Sequence, residues 1–227
     1  MSDLWIFGYG SLMWRPGFVF EEAVPARLTG YRRCFCIYST NHRGAPARPG
    51  LVLGLDRGGV CDGVAYRIAP QNARAIADYL RVREQVNGVY HEALLPITLH
   101  EAERREVFAQ AYIVERSHPS YTGPLPLRVQ AALIRGAKGI SGANLDYLIN
   151  TLAHLHSLHI REPELQRLLT LIGPHFARDN FAGMASPRAA ALLKVCRRLP
   201  FDAPVTRPGE RRRFIHRRQI AVWHGAN

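Results

Sequence analysis

The sequence predicts an α+β protein in which a mixed or antiparallel sheet curls into a barrel. Segments with β-type content supply most of the first 114 residues, interrupted by one helical pattern, and helical patterns dominate from residue 127 onward. Strands followed by helices are typical of this class. The length of 227 residues suits one domain, which we place at 1–199, followed by a basic tail at 200–227.

The chain opens with a predicted strand at residues 4–7, where four bulky apolar residues follow one another without polar alternation. Such a run is typical of a strand buried on both faces. Gly8, Tyr9, Gly10 and Ser11 end it, and the two glycines let a ligand approach a row of main-chain N–H donors. This turn is a candidate seat for a carboxylate or an oxyanion. A simple tight turn is the alternative. A dinucleotide fingerprint is excluded because its third glycine is missing.

The remaining elements follow from residue pattern and turn signals. Further strands are predicted at 27–37, 51–55, 60–68, 90–99 and 106–114, with a hairpin turn at 56–59 and loops at 39–50 and 118–126. Helices are predicted at 71–85, 127–135, 144–159, 164–172 and 186–198. The last stretch, 200–227, contains proline and many arginines and has no predicted element.

One carboxylate in the first helix stands out. At 100° per residue, Ala73, Ala77 and Leu80 form an apolar stripe, and Glu84 falls in the middle of it. A carboxylate there is either paired and structural or has its pKa raised for chemistry, and periodicity does not separate the two. Arg83 lies too far round the helix to be an obvious partner for Glu84.

Composition limits the possible functions. The formal charge of +12, mostly from arginine, favours solvated basic faces or attraction of a small acidic substrate. Nucleic acid is not expected as the main partner, because no nucleic-acid motif accompanies the charge. No apolar run is long enough for a membrane span, and no signal peptide is predicted.

The cysteine and histidine patterns point away from metal chemistry. Cys34, Cys36, Cys61 and Cys196 form no C-x-x-C pair, which favours free thiols in the cytoplasm. The three histidines at 154, 156 and 159 lack the i, i+4 spacing of a helical zinc site, so no metal is predicted.

Five sequence blocks, which occur in one order, give the chain a family resemblance. They are Phe7-Gly8-Tyr9-Gly10-Ser11-Leu12-Met13-Trp14; Ser39-Thr40-Asn41-His42-Arg43-Gly44 with Pro46 and Pro49-Gly50; Gly63-Val64-Ala65-Tyr66-Arg67; Tyr79-Leu80 with Arg83-Glu84, Gly88 and Tyr90; and Pro119-Ser120-Tyr121-Thr122-Gly123-Pro124. A looser sixth block contains Ser141-Gly142, Asn144 and Tyr147-Leu148. In these blocks the chain resembles the ChaC-type, glutathione-specific γ-glutamylcyclotransferases.

The resemblance implies a small mixed β-barrel with flanking helices and a reaction without metal or cofactor. That reaction cleaves glutathione into 5-oxoproline and cysteinylglycine. The resemblance assigns the acid/base role to Glu84 and a place in the site wall to Tyr121. The residues implied to hold the γ-glutamyl group are Gly8, Tyr9, Gly10, Ser11, Leu12 and Met13. Arg48 is a candidate contact for the glycyl carboxylate.

Two departures from the family pattern bear on the substrate. Asn41 stands where the family often has Asp, and Asn87-Gly88 where it often has two glycines. Two alternatives therefore stay open. One is a cyclotransferase for other γ-glutamyl amines or dipeptides, and the other is a basic RNA- or anion-binding module on the same fold. A monomer is expected.

Overall fold

The computed structural model describes residues 3–84, 88–101 and 104–176, with side chains up to residue 173. The elements are β1 (Leu4–Gly8), a 3₁₀ turn (Ser11–Met13), β2 (Glu22–Ser39), β3 (Gly50–Ile68), α1 (Pro70–Glu84), β4 (Tyr90–Leu99), β5 (Arg105–Val114), α2 (Leu127–Gly136), β6 (Lys138–Gly139), β7 (Gly142–Ala143), α3 (Asn144–Ser157) and α4 (Pro163–Phe176). The predicted helix at 186–198 and the basic tail at 200–227 lie outside the described residues.

Five strands close into a barrel in the order β1-β3-β2-β4-β5. Strand β1 runs antiparallel to β3 and parallel to β5, which closes the barrel and makes it mixed. Strands β2 and β3 pair over most of their length, and β4 and β5 pair antiparallel along all ten residues of each strand. The predicted α+β class and the mixed barrel are confirmed.

Strand β1 is buried on both faces, as its uninterrupted apolar run predicts. Trp5 and Phe7 belong to an apolar cluster that draws residues from all five strands and fills the barrel. Ile6 points the other way, into a second cluster that joins the barrel wall to the helices. Because successive side chains of a strand alternate in direction, one short strand serves both cores. The turn that follows β1 is therefore anchored to a rigid element.

The predicted hairpin at 56–59 is wrong, because residues 50–68 form one continuous strand, β3. Gly58 and Gly59 have positive φ angles, and so does Gly30 on the facing strand. The pairing register of β2 and β3 shifts between Thr29 and Tyr31, opposite the two glycines. Such an irregularity bends a strand pair without ending it. The glycines therefore bend two long strands round the barrel and do not reverse the chain.

Helix α1 covers one side of the barrel and ends at the carboxylate singled out from the sequence. Its buried residues are Ile76 and Leu80, and Glu84 lies one turn after Leu80 on the same side. Ala73 and Ala77 are only half-buried. Within the described ranges, no helix combines the length and apolarity needed to cross a membrane.

Candidate active site

We call residues 8–13 the glycine turn; it begins with the last residue of β1 and ends with the 3₁₀ turn. The Met13 N–H donates to the carbonyl of Gly10 at 2.9 Å, which closes the turn. Within the described residues, the N–H groups of residues 10–12 have no protein acceptor. Consecutive free N–H groups at a turn form an anion-binding concavity. The turn therefore offers donors to a carboxylate or to a developing oxyanion.

The two glycines of the turn have different surroundings. A Cβ on Gly8 would lie 3.2 Å from the Cβ of Leu12 and 3.3 Å from the Tyr66 ring, which is tighter than ordinary contact. A Cβ on Gly10 would lie 3.8 Å from the Tyr147 hydroxyl. Gly8 thus permits the close packing of the turn, whereas a Cβ on Gly10 would make only ordinary contact with the Tyr147 hydroxyl, which borders the space in front of Gly10.

Arg33 fixes the backbone of the glycine turn at Tyr9. Its side chain has no exposed surface, and it donates to the backbone carbonyls of Tyr9 and Asp62 while forming an ion pair with Glu162. No peptide bond among the described residues is cis, so the N–H of Gly10 points away from the Tyr9 carbonyl that Arg33 fixes. Arg33 therefore sets the direction of one of the turn's free donors.

Arg83 holds the same turn from the side of α1. Its guanidinium donates to the Ser11 hydroxyl at 3.1 Å and to the Arg15 carbonyl at 2.6 Å. The Nε atom of Arg83 lies 3.1 Å from a carboxylate oxygen of Glu84. The prediction that Arg83 is too far from Glu84 is wrong, because the long side chain reaches round the helix to the turn and passes the carboxylate on the way.

The Glu84 carboxyl is largely buried, with 17% of its side chain exposed. Burial raises the pKa of this group above its ordinary value, and the adjacent Arg83 cation opposes the rise. A carboxylate with a raised pKa is better matched to proton transfer near neutral pH than an exposed one. The position of Glu84 therefore suits an acid/base role.

Four tyrosines lie within range of the charge of Glu84. Burial raises the pKa values of Tyr9, Tyr90, Tyr112 and Tyr147, and the charge of Glu84 raises all four further. For Tyr112 and Tyr147 the pKa is about 12. These side chains are consequently neutral hydroxyls at physiological pH. Because Tyr9 belongs to the turn, the charge of Glu84 acts as far as the turn.

Only part of this set of hydroxyls is free to meet a ligand. Tyr9 donates to the Tyr112 carbonyl at 2.9 Å, and Tyr90 donates to the Leu53 carbonyl at 2.7 Å. The Tyr147 hydroxyl also lies by Leu53 and faces the space in front of Gly10. Tyr147 is therefore the tyrosine best placed to contact a molecule seated on the turn.

Tyr121 is brought to the neighbourhood of Tyr90, but its hydroxyl is engaged elsewhere. Both tyrosines pack on a small apolar cluster that contains Cys36. The Tyr121 hydroxyl donates to the buried carboxylate of Asp56 at 3.1 Å, and Arg116 contacts the same carboxylate at 2.7 Å. A role for Tyr121 in the site wall stays a prediction.

Sequence reasoning missed five residues that shape the site, namely Arg33, Arg83, Tyr90, Tyr112 and Tyr147. Arg83, Tyr90 and Tyr147 occur in the blocks that carry the family resemblance, so the signal was present without a role. Arg33 and Tyr112 gave no signal, because each is defined by what it contacts in the folded barrel.

Two of the three histidines considered as metal ligands, His154 and His156, lie in α3, and His159 follows it. His154 stacks on Trp14 with 4.7 Å between ring centroids, and burial lowers its pKa. Among the residues that the structure describes, no group of three or more His, Cys, Asp or Glu side chains is arranged to hold a metal ion.

Comparisons with known proteins identify the family of the chain. A family model described as "ChaC-like protein" matches residues 4–174. The chain is 34% identical over 186 residues to the glutathione-specific gamma-glutamylcyclotransferase of Escherichia coli K12, covering 82% of this chain and 80% of that protein. It is 37% identical over 171 residues to gamma-glutamylcyclotransferase 2-3 of Arabidopsis thaliana, covering 73% of this chain and 86% of that protein.

A solved structure gives the same result. The selenomethionine-labelled yeast gamma-glutamyl cyclotransferase specific to glutathione superposes with a TM-score of 0.69 at 25% identity, covering 77% of this chain and 97% of that one. The fold, the matched blocks and the aligned relatives agree, and the chain belongs to the ChaC-like protein family.

Proposed function

We propose that this protein cleaves glutathione by intramolecular cyclisation. The α-amine of the γ-glutamyl group attacks the γ-carbonyl carbon, the bond to the cysteinyl nitrogen breaks, and the products are 5-oxoproline and cysteinylglycine. The observation that carries the proposal is the buried Glu84 carboxyl, which Arg83 connects to Ser11 of the glycine turn. The names of the E. coli relative and of the yeast structure support glutathione as the substrate.

Proton transfer is the first requirement of this reaction. The attacking amine is protonated at neutral pH, with a pKa of about 8, whereas a free glutamate has a pKa of about 4.3. Burial narrows this gap by raising the pKa of Glu84. Glu84 takes the proton from the amine and delivers a proton to the leaving cysteinyl nitrogen, so the carboxylate is regenerated in each cycle.

Stabilisation of the developing negative oxygen is the second requirement. When the amine adds to the carbonyl, the oxygen becomes an oxyanion, and the free N–H groups of residues 10–12 are suitable donors. Loss of one such donor typically costs about 3–4 kcal/mol. Closing a five-membered ring supplies proximity, worth about 7–11 kcal/mol when the reacting groups are well oriented.

A second substrate class stays open. The Arabidopsis relative is named a gamma-glutamylcyclotransferase without reference to glutathione, and the same ring closure works on any γ-glutamyl amide with a free amine. The third possibility, a basic anion-binding module without activity, depends on arginine clusters at 211–213 and 217–218, which lie outside the described residues.

One assay separates these possibilities. Purified full-length protein is incubated with glutathione and, in parallel, with γ-glutamylalanine, and 5-oxoproline release is measured. We expect release from glutathione at a higher kcat/KM. Faster release from the dipeptide would make the broader cyclotransferase the function, and release from neither would leave the binding module.

We also infer that the protein acts as a monomer in the cytoplasm. Free thiols at Cys34, Cys36 and Cys61 support a reducing compartment. Light scattering after gel filtration should give the mass of one chain, and a larger mass would replace the monomer.

A further inference from the structure

Arg43 is a half-buried cation in the segment that joins β2 to β3. Its guanidinium carbon lies 5.3 Å from the centroid of the Tyr147 ring, over the ring face. One nitrogen donates to the Ala143 carbonyl at 3.2 Å, and the backbone N–H of Arg43 donates to the Ser39 hydroxyl at 3.0 Å. The backbone and one end of the side chain are thereby fixed, and the guanidinium retains further donors.

The charge of Arg43 lacks a matching anion at close range. Among the described residues, no carboxylate lies within 4.0 Å of this guanidinium, whereas Arg33 and Arg83 each contact a glutamate. Burial lowers the pKa of Arg43, Tyr147 and Asp146 raise it, and the cation of Arg15 lowers it by a smaller amount. A partly desolvated cation without a carboxylate partner at contact distance favours binding of an anion.

The position of Arg43 relative to the glycine turn suggests which anion this is. Tyr147 presents its hydroxyl to the space in front of Gly10 and its ring face to Arg43. The side chain of Tyr147 therefore lies between the turn and the guanidinium. In glutathione, the glycyl carboxylate follows the γ-carbonyl by two residues, which span about 7 Å when extended. A γ-glutamyl group on the turn could place that carboxylate near Arg43.

We propose that Arg43 binds the glycyl carboxylate of glutathione and selects the tripeptide over shorter or neutral γ-glutamyl amides. This inference rests on the proposed function. A guanidinium can bind a carboxylate through two parallel N–H···O bonds, whereas an ammonium makes a single point contact. Arg15 contributes positive potential at the same place.

Arg48, the candidate from the sequence, has different surroundings. A Cβ on Gly136 would lie 1.7 Å from a nitrogen of Arg48, so this guanidinium rests on the last residue of α2. It borders an open groove of about 480 Å³ with Val129 and Leu133. Arg48 belongs to the same β2–β3 segment as Arg43 and makes a matched control.

The test compares glutathione with its glycyl ethyl ester, which keeps the γ-glutamyl amide and removes the negative charge. We expect the wild-type protein to prefer glutathione by about 10- to 100-fold in kcat/KM, the range typical of a hydrogen bond to a charged group. In Arg43→Gln, activity toward glutathione should fall to the level of the ester, mainly through KM, while activity toward the ester is unchanged. Arg43→Lys should recover part of the preference, and Arg48→Gln should keep all of it.

Three results would overturn the inference. Equal wild-type activity toward both substrates removes the carboxylate contact and leaves the proposed function intact. An equal loss for both substrates in Arg43→Gln and in Arg43→Lys, carried by kcat, gives Arg43 a structural role only. Absence of 5-oxoproline from either substrate removes the proposed function and this inference with it.

Discussion

Two glutamates of this barrel look alike by every local measure, yet they face different surroundings. Glu84 and Glu162 have 17% and 18% of their side chains exposed, each pairs with an arginine, and burial raises the pKa of both. Glu162 pairs with Arg33, whose other donors go to backbone carbonyls. The charge of Glu84 acts on four neutral tyrosines beside the glycine turn.

A raised pKa therefore does not by itself identify a catalytic carboxylate. Glu162 immediately precedes α4 and ties that helix, through Arg33, to the back of the glycine turn. Glu84 ends α1 on the other side of the same turn, where Arg83 contacts Ser11. What each carboxylate faces, and not its pKa shift, is the reason that we propose a structural role for Glu162 and an acid/base role for Glu84.

The largest expected effect is the loss of activity in Glu84→Gln. The amide keeps the size of the side chain but cannot take a proton, so kcat/KM for glutathione should fall at least about 100-fold. Glu162→Gln is the matched control and should stay within about 10-fold of the wild type. Equal rates for the wild type and Glu84→Gln would remove Glu84 from the mechanism.

The second effect is a loss of stability in Glu162→Gln. This change leaves Arg33, which has no exposed side-chain surface, without its counter-charge, whereas 22% of the Arg83 side chain beside Glu84 is exposed. Loss of the counter-charge of a fully buried cation is strongly destabilising and outweighs relief of the burial cost that raises the pKa of Glu162. Because Glu162 keeps some exposure, we expect the free energy of unfolding to fall by about 2 kcal/mol, below the range for fully buried pairs. Urea denaturation measures it, and an unchanged unfolding midpoint would show that the pair contributes no net stability.

Arg33→Lys should have a smaller effect on activity than Glu84→Gln and a smaller effect on stability than Glu162→Gln. A lysine keeps the charge but cannot reproduce the planar fork that contacts Tyr9, Asp62 and Glu162 together. We expect kcat to fall about 10-fold as the Gly10 N–H loses its fixed direction. The acid limb of the pH profile should not move, because Arg33 does not contact Glu84. A shifted limb would show that Arg33 acts on the base itself.

The smallest effect is a gain of stability in Glu84→Gln. A carboxyl whose pKa is raised on folding contributes stability below its unfolded pKa and loses that contribution as pH rises through the folded pKa. Glutamine does not titrate, so the variant should be more stable than the wild type by about 0.5–1 kcal/mol at pH 7. The difference should disappear near pH 4. Thermal unfolding from pH 4 to pH 7 measures this stability difference. A variant less stable than the wild type at pH 7 would contradict a cost of burying the charged Glu84.

The fold was predictable wherever local pattern and tertiary burial coincide. The apolar run of β1 and the period of α1 both identify their elements, and the predicted strand at 90–99 has the bounds of β4. The hairpin at 56–59 failed because a glycine pair has the same local signal in a turn and in a bend. Only the facing Gly30, which is far away in sequence, decides between them.

The candidate site was predictable to the extent that one element defines it. The helical period placed Glu84 on the buried side of α1, but it also excluded Arg83, because a helical wheel gives directions and not the reach of a long side chain. The four tyrosines come from the end of β1, from β4, from β5 and from α3. Their proximity is a property of the closed barrel and has no signal in sequence spacing.

The most direct test of whether the buried Glu84 is the base is the pH dependence of kcat/KM for glutathione. The acid limb of this profile reports the pKa of the essential base in the free enzyme. Because burial raises the pKa of Glu84 and Arg83 opposes the rise, the wild-type limb should lie above 4.5, and Arg83→Gln should move it to higher pH. A wild-type limb at or below 4.5, unmoved by Arg83→Gln, would contradict a buried Glu84 as the base.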